Sequence, residues 1–286
     1  MKKIVVISIT ALFFLLSVYL LISALPAAEI SDRSMEGLQL RSQVWSGTIT
    51  LKEDVHIMPW ATLTIKPGTK ILFKKKKEME GTDWTQYADT FIKDHNDPTG
   101  KEGYNQAHYE LWGKINAIGT KEAPIIFTSA QENKEYADWD QLILLKGSRL
   151  EYVDVSYAHN GVNVDGGYSI VKNSKIHDSL WSCIDIFSTN NILESNEVYH
   201  CWHQGIGVKV KGSNTIRNNI VHDTQLSVNC ENGADPRIMG NIFIAAPLNT
   251  DCGTGVNNTE ENREPDTQGG TYNNVLVYPS INTNSE

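Results

Sequence analysis

The groups with the capacity for chemistry fall between residues 163 and 231. Trp181, Trp202 and His203 lie there among Asp185, Lys209 and Glu231, with Asn163, Asp165 and Asn229 at neighbouring polar positions. Indole rings beside carboxylates and an ammonium suit a sugar-binding surface, where rings cover apolar sugar faces and polar groups take hydroxyls. Trp181, Trp202 and Glu231 are the expected binding residues. His203, Asp185 and Lys209 are the expected catalytic ones: paired carboxylates suit a hydrolase, and His203 or Lys209 suits a lyase as base. The plainer alternative is a solvated face carrying lone outward charges.

A second group repeats along the chain. His177-Asp178, Tyr199-His200 and His222-Asp223 recur at matching places. Stacked together, they offer a proton-transfer or metal site, against a purely structural role in turns. Histidines two steps apart in a stack of strands are separated by ~9.6 Å, too far to share one metal ion.

What positions these side chains is a repeat. Asn196, Asn219 and Asn241 each precede an apolar run, spaced 23 and then 22 residues apart. Ser174 holds the same place one unit earlier, and Asn274 repeats it after a longer gap. Within each unit apolar and polar residues alternate, as in Val162/Val164, Ile184/Ile186 and Ile206/Val208. That period of two, rich in β-branched residues and broken by turn residues, specifies short strands. Three strands and three turns fill a unit of this length. The expected fold is therefore all-β: a single-domain right-handed parallel β-helix, a solenoid of about 8–9 coils. The repeated asparagines become an internal ladder, because an amide both donates and accepts and equivalent side chains stack up the axis. On this frame Trp181 and His203, each seven residues past its ladder position, should be neighbours on successive coils.

From Trp45 onward the chain reads W-S-G-T-I-T-L and then A-T-L-T-I-K-P-G-T-K-I-L-F. Later come Gly119-Thr120 and Pro124-Ile125-Ile126-Phe127-Thr128-Ser129. These phrases resemble the opening coils of extracellular right-handed parallel β-helix repeat proteins of the pectin-lyase-like superfamily. The resemblance covers most of residues 45–280 and implies the fold. It leaves activity open, because that superfamily holds lyases, hydrolases, epimerases and non-enzymatic surface proteins. The clustered aspartates and the GHG and RIK motifs of polygalacturonase-like members are absent, as is the acidic calcium cluster of pectate-lyase-like ones.

The remaining chain is organised around this body. Lys2 and Lys3, an apolar run to Leu25 and Pro26-Ala27-Ala28 follow the order of a signal peptide, and the run is long enough for a membrane anchor instead. Residues 29–44 are expected as a linker or cap, 74–109 as an insertion with a short helix over 83–95, 253–270 as a mobile loop and 281–286 as a tail. No metal site is expected elsewhere, but Asp94, Asn96, Asp97 and Glu102 in the insertion are candidate Ca2+ ligands. Cys183, Cys201, Cys230 and Cys252 leave disulfide pairing open. A net charge of −9 argues against nucleic acid as the main partner. The expected protein is exported, secreted or at the cell surface, monomeric, and binds a polysaccharide or cell-surface glycan, with cleavage as an extension. A non-enzymatic structural or adhesive solenoid of the cell envelope is the alternative.

Overall fold

A computed structural model describes residues 17–21, 25–75, 109–244, 270–272 and 275–277. Apart from one helical turn at 17–21, the regular structure among these residues is strand. The signal core, the 83–95 helix, the candidate calcium ligands, the 253–269 stretch, Cys252, Asn274 and the segment after Tyr278 lie outside the described residues.

The strands fall into three ladders, and all their pairings are parallel. The first ladder begins with the leading parts of β1 (Ala28–Gln39) and β2 (Gln43–Ile57). It continues through β3 (Leu63–Ile65), β6 (Ile115–Ile118), β9 (Arg149–Glu151), β12 (Ile170–Lys172), β15 (Ile192–Glu194), β17 (Thr215–Arg217), β19 (Arg237–Met239) and β21 (Gly270–Tyr272). The second passes from β1 and β2 through β4 (Lys70–Phe73), β7 (Ile125–Ser129), β10 (Val153–Ser156) and β13 (Lys175–Ser179). It then takes the leading halves of β16 (Glu197–Val208) and β18 (Ile220–Cys230), then β20 (Ile242–Ile244) and β22 (Val275–Val277). In the third, the ends of β1 and β2 lead to β5 (Leu111–Gly113), β8 (Leu142–Leu144), β11 (Val162–Val164), β14 (Ser182–Ile186) and the trailing halves of β16 and β18.

Alternation along each strand sends one set of side chains inward, and parallel register stacks like on like. In the second ladder Ile49, Ile71, Phe127, Val155, Ile176, Val198, Val221 and Phe243 form one unbroken buried column. Phe73 and Trp139 stack in the core with centroids 3.8 Å apart. Burying such rings and branched side chains contributes roughly 1.5–3 kcal/mol each and is the main favourable term of the fold.

The bends between ladders use left-handed backbone. Tyr152, Asn173, Ser195, Asn218 and Gly240 all have positive φ, and each directly precedes the residue that turns inward. At that next position the amide ladder is built. The backbone N–H of Asn196 donates to Oδ1 of Asn219 at 2.9 Å, and that of Asn219 to Oδ1 of Asn241 at 2.8 Å. Each Nδ2 donates in turn to a main-chain carbonyl, Val171, Leu193 and Ile216 respectively. Ser174 continues the column, its N–H donating to Asn196 Oδ1 and its hydroxyl accepting from the Val153 N–H. A second ladder at the bend from third to first sheet was not foreseen: Ser148, Ser169, Asn191 and Asn214 are bonded in the same way.

Residues 29–44, expected as a linker or cap, lie at one end of the stack. They supply most of β1, which pairs with β2 across all three ladders. Only Met35 of β1 is buried, so a strand with a neighbour on one side reads as polar.

Candidate functional site

The side chains singled out for chemistry lie on the outer face of the third ladder, where β11, β14, β16 and β18 lie side by side. Inward-pointing Val162, Ile184, Ile206 and Val228 anchor these strands in the core. Register then aligns Asn163, Asp185, Gly207 and Asn229 on the outside. These positions point away from the core yet are not solvated: Asn163, Asp185 and Asn229 are buried. That corrects the expectation of a free polar row. The reason is that the side chains lie across one another and use up their own polar groups.

Five of them close a ring. Gln204 Nε2 donates to Asp185 Oδ1 at 2.8 Å, and Gln204 Oε1 accepts from Asn229 Nδ2 at 2.6 Å. Asn229 Nδ2 also reaches Glu231 Oε1 at 3.0 Å. Lys209 Nζ completes the circuit, 2.5 Å from Glu231 Oε1 and 3.8 Å from Asp185 Oδ1. Gly207 lies beneath: a methyl group there would collide with Asp185 Oδ1 and Gln204 Nε2, so the ring requires a residue without a side chain. Gln204 and Gly207 escaped the sequence reading. A glycine at an outward strand position was the available signal, since it marks close approach of other groups.

Burial pushes the Asp185 carboxyl above its usual range, although the Lys209 charge and hydrogen bonds from Ser182 and Gln204 pull the other way. Glu231 is different, with 43% of its side chain exposed. Both Lys209 and Asn229 bond to its Oε1. The two acids thus sit in different settings, one buried and one at the surface, with a single ammonium between them.

Trp181 and His203 flank the ring, one residue before Ser182 and Gln204 respectively. Their rings stack at 4.0 Å and 12°, as expected for successive coils. The stack covers one face of the indole and leaves His203 buried. Trp202 does not join it. On an extended strand it turns to the opposite side from His203 and meets Tyr136 edge-on at 6.3 Å. The disulfide Cys183–Cys201 ties β14 to β16 beside this bend, with Cα atoms 5.6 Å apart. Cys230 is also disulfide-bonded.

The histidine repeat occupies the second ladder. His177, Tyr199 and His222 stack in parallel, with centroids 4.7 and 4.9 Å apart. Asp178, His200 and Asp223 follow them with positive φ and make the bend. His177 bridges Asp154 at 3.2 Å and Asp178 at 2.7 Å, and Asp178 reaches His200 on the next coil at 3.2 Å. The rings mask one another's faces and the carboxylates are shared between coils. This is an inter-coil staple. No group of three or more potential metal ligands occurs among the described residues.

Burial alone would lower the His177 pKa, but its bonds to Asp154 and Asp178, with their charges, outweigh it and hold the imidazolium above the usual 6.5. A raised folded pKa adds stability that is full below about 6.5 and is lost as pH rises through the folded value. Chemical denaturation of wild type and His177→Gln should therefore diverge most at pH 5.5 and converge toward pH 8.5. An equal gap at both values would show that protonation of His177 does not contribute.

Topology supplies a further mark. Between β7 and β8 the chain leaves the ladders over residues 130–141. After β20 the next described strand is β21, back in the first ladder. Among the described residues, the 130–141 connection departs at the bend from second to third ladder, and its Tyr136 meets Trp202.

The family described as "Right handed beta helix region" matches residues 132–271. Among solved structures, that of the periplasmic alginate epimerase AlgG is similar at 10% identity, covering 88% of this chain and 75% of that one with a TM-score of 0.30. A point mutant of the same enzyme gives 9% identity, the same coverages and a TM-score of 0.29. Likeness at this level says nothing of substrate or reaction. No curated protein is significantly similar in sequence.

Proposed function

We propose that this chain is an exported β-helix protein that binds a polysaccharide or cell-surface glycan on the outer face of its third ladder. One continuous right-handed solenoid is the body of this reading, which the three shared ladders support. The observation that carries it is the closed ring of Asp185, Gln204, Asn229, Glu231 and Lys209 with the Trp181–His203 stack beside it. Side chains locked by one another present fixed donors and acceptors, and a preordered surface loses little entropy when hydroxyls bind. The 130–141 connection leaving at the neighbouring bend agrees with this, since insertions in repeat proteins collect on the binding face. The basic, apolar and small-residue order of the N-terminus supports export.

In this arrangement the half-exposed Glu231 carboxylate takes a sugar hydroxyl and Lys209 contributes a donor. Cleavage is an extension of the same geometry: the Asp185 carboxyl, its pKa raised by burial, is the better placed of the two as acid and Glu231 as base. One observation favours the non-enzymatic structural solenoid instead, namely that His203 covers half of the indole that a sugar would use.

A glycan-array and calorimetry comparison separates the two. Glu231→Ala should weaken binding about tenfold, the order expected for one charge-assisted hydrogen bond. Its melting temperature should stay near that of wild type, because Glu231 sits on the rim. If wild type retains no glycan, or the variant binds as well as wild type, the face is structural.

A further inference from the structure

We infer that the glycan taken by this face carries no acid groups, an inference that rests on the binding role proposed above. A polymer of sugar acids needs unshared cations along its path. Among the outward residues of β11, β14, β16 and β18 on the third ladder, and those just beyond these strands, Lys209 is the one cation described. Its side chain is only 12% exposed and is already held by two carboxylates, Glu231 at 2.5 Å and Asp185 at 3.8 Å. Lys146 and Lys211 lie past the face, at the bend toward the first ladder, and the Lys146 ammonium sits 5.5 Å from the Tyr168 ring centre.

What the face does expose is acceptor. Glu231 stands at the rim and Asp165 is exposed two residues after Asn163. A sugar hydroxyl can donate to either. A sugar carboxylate would bring a like charge against them while losing its own hydration, with no unshared ammonium among the described residues of this face to offset it. Gln204 and Asn229 add nothing for an anion, since each amide group is already bonded within the ring. The arrangement discriminates by charge before it discriminates by shape.

The test uses the full chain and a panel of neutral hexasaccharides, each beside its C6-oxidised counterpart, which differs only in its carboxylates. Neutral members should bind at least about tenfold more tightly than their oxidised partners, as expected for one like-charge contact at ~6 Å in a partly solvated site. Raising the salt concentration should narrow that gap. Glu231→Gln should improve binding of the oxidised members more than that of the neutral ones. Tighter binding of the oxidised members by wild type would overturn the inference and leave the binding role intact. Binding of neither set would remove the binding role, and the inference with it.

Discussion

Replacing Asn219 with alanine should destabilise the protein by about 3 kcal/mol or more, since a buried polar group left unsatisfied costs roughly 1–3 kcal/mol and several are created at once. Asn219 is fully buried. Its Nδ2 donates to Leu193 O at 3.1 Å and Asn241 Oδ1 at 2.9 Å. Its Oδ1 accepts from both the backbone N–H and Nδ2 of Asn196, at 2.9 and 3.0 Å. Alanine strands partners on the coil before and the coil after. Urea denaturation gives the number. Asn190→Gly is the control, because Asn190 is exposed with positive φ and bonds through its side chain only to Thr189. Equal midpoints for the two variants would show that the ladder is a passive consequence of stacking.

Gly166→Ala should cost as much again through a different mechanism. A methyl at residue 166 would fall on the amide nitrogen of Lys146 and the carbonyl carbon of Leu145, one coil earlier. Both are backbone atoms, so no rotamer change relieves the overlap. The Gly166 N–H is itself bonded to Leu144 O at 2.9 Å, which fixes the two coils together. Overpacking commonly costs 1–3 kcal/mol, and backbone against backbone lies at about the upper end or beyond. Gly233→Ala, where a methyl meets nothing nearby, separates this clash from a general intolerance of side chains, since its only penalty is the positive φ. A Gly166→Ala protein that melts with wild type would mean the coils can separate at this point.

Most of the fold was legible because a stacked parallel architecture writes itself into the chain at a fixed period. Inward residues alternate, the amide ladder recurs every 22 or 23 residues, and each strand confirms its neighbour. The terminal strand was not legible. β1 buries only Met35 because it covers the end of the stack, so the alternation that reveals other strands is missing. The site was half legible. Trp181 and His203 met because their spacing matched the repeat. Trp202 was grouped with them by adjacency, yet neighbours in an extended strand face opposite ways. Asp185 and Asn229 were correctly read as outward but wrongly as solvated: period two gives direction and says nothing of what lies across the side chain. The ring depends on Gln204, whose partners sit 19 and 25 residues away, and no local pattern announces such pairs.

Two of the three bends carry a buried amide column, Asn196 to Asn241 in one and Asn191 with Asn214 in the other. The third, from second to third ladder, carries a mixed chain: the Ser182 N–H donates to Asn160 Oδ1 at 3.3 Å and Gln204 Nε2 donates to the Ser182 hydroxyl at 2.9 Å. A lengthened bend at any of these columns would break donors and acceptors on two coils. The long connection over residues 130–141 leaves this third corner one coil before its chain begins. Length can therefore vary at that corner only outside the bonded coils, so the coils that present the Asp185–Lys209–Glu231 face are held to one register at all three corners.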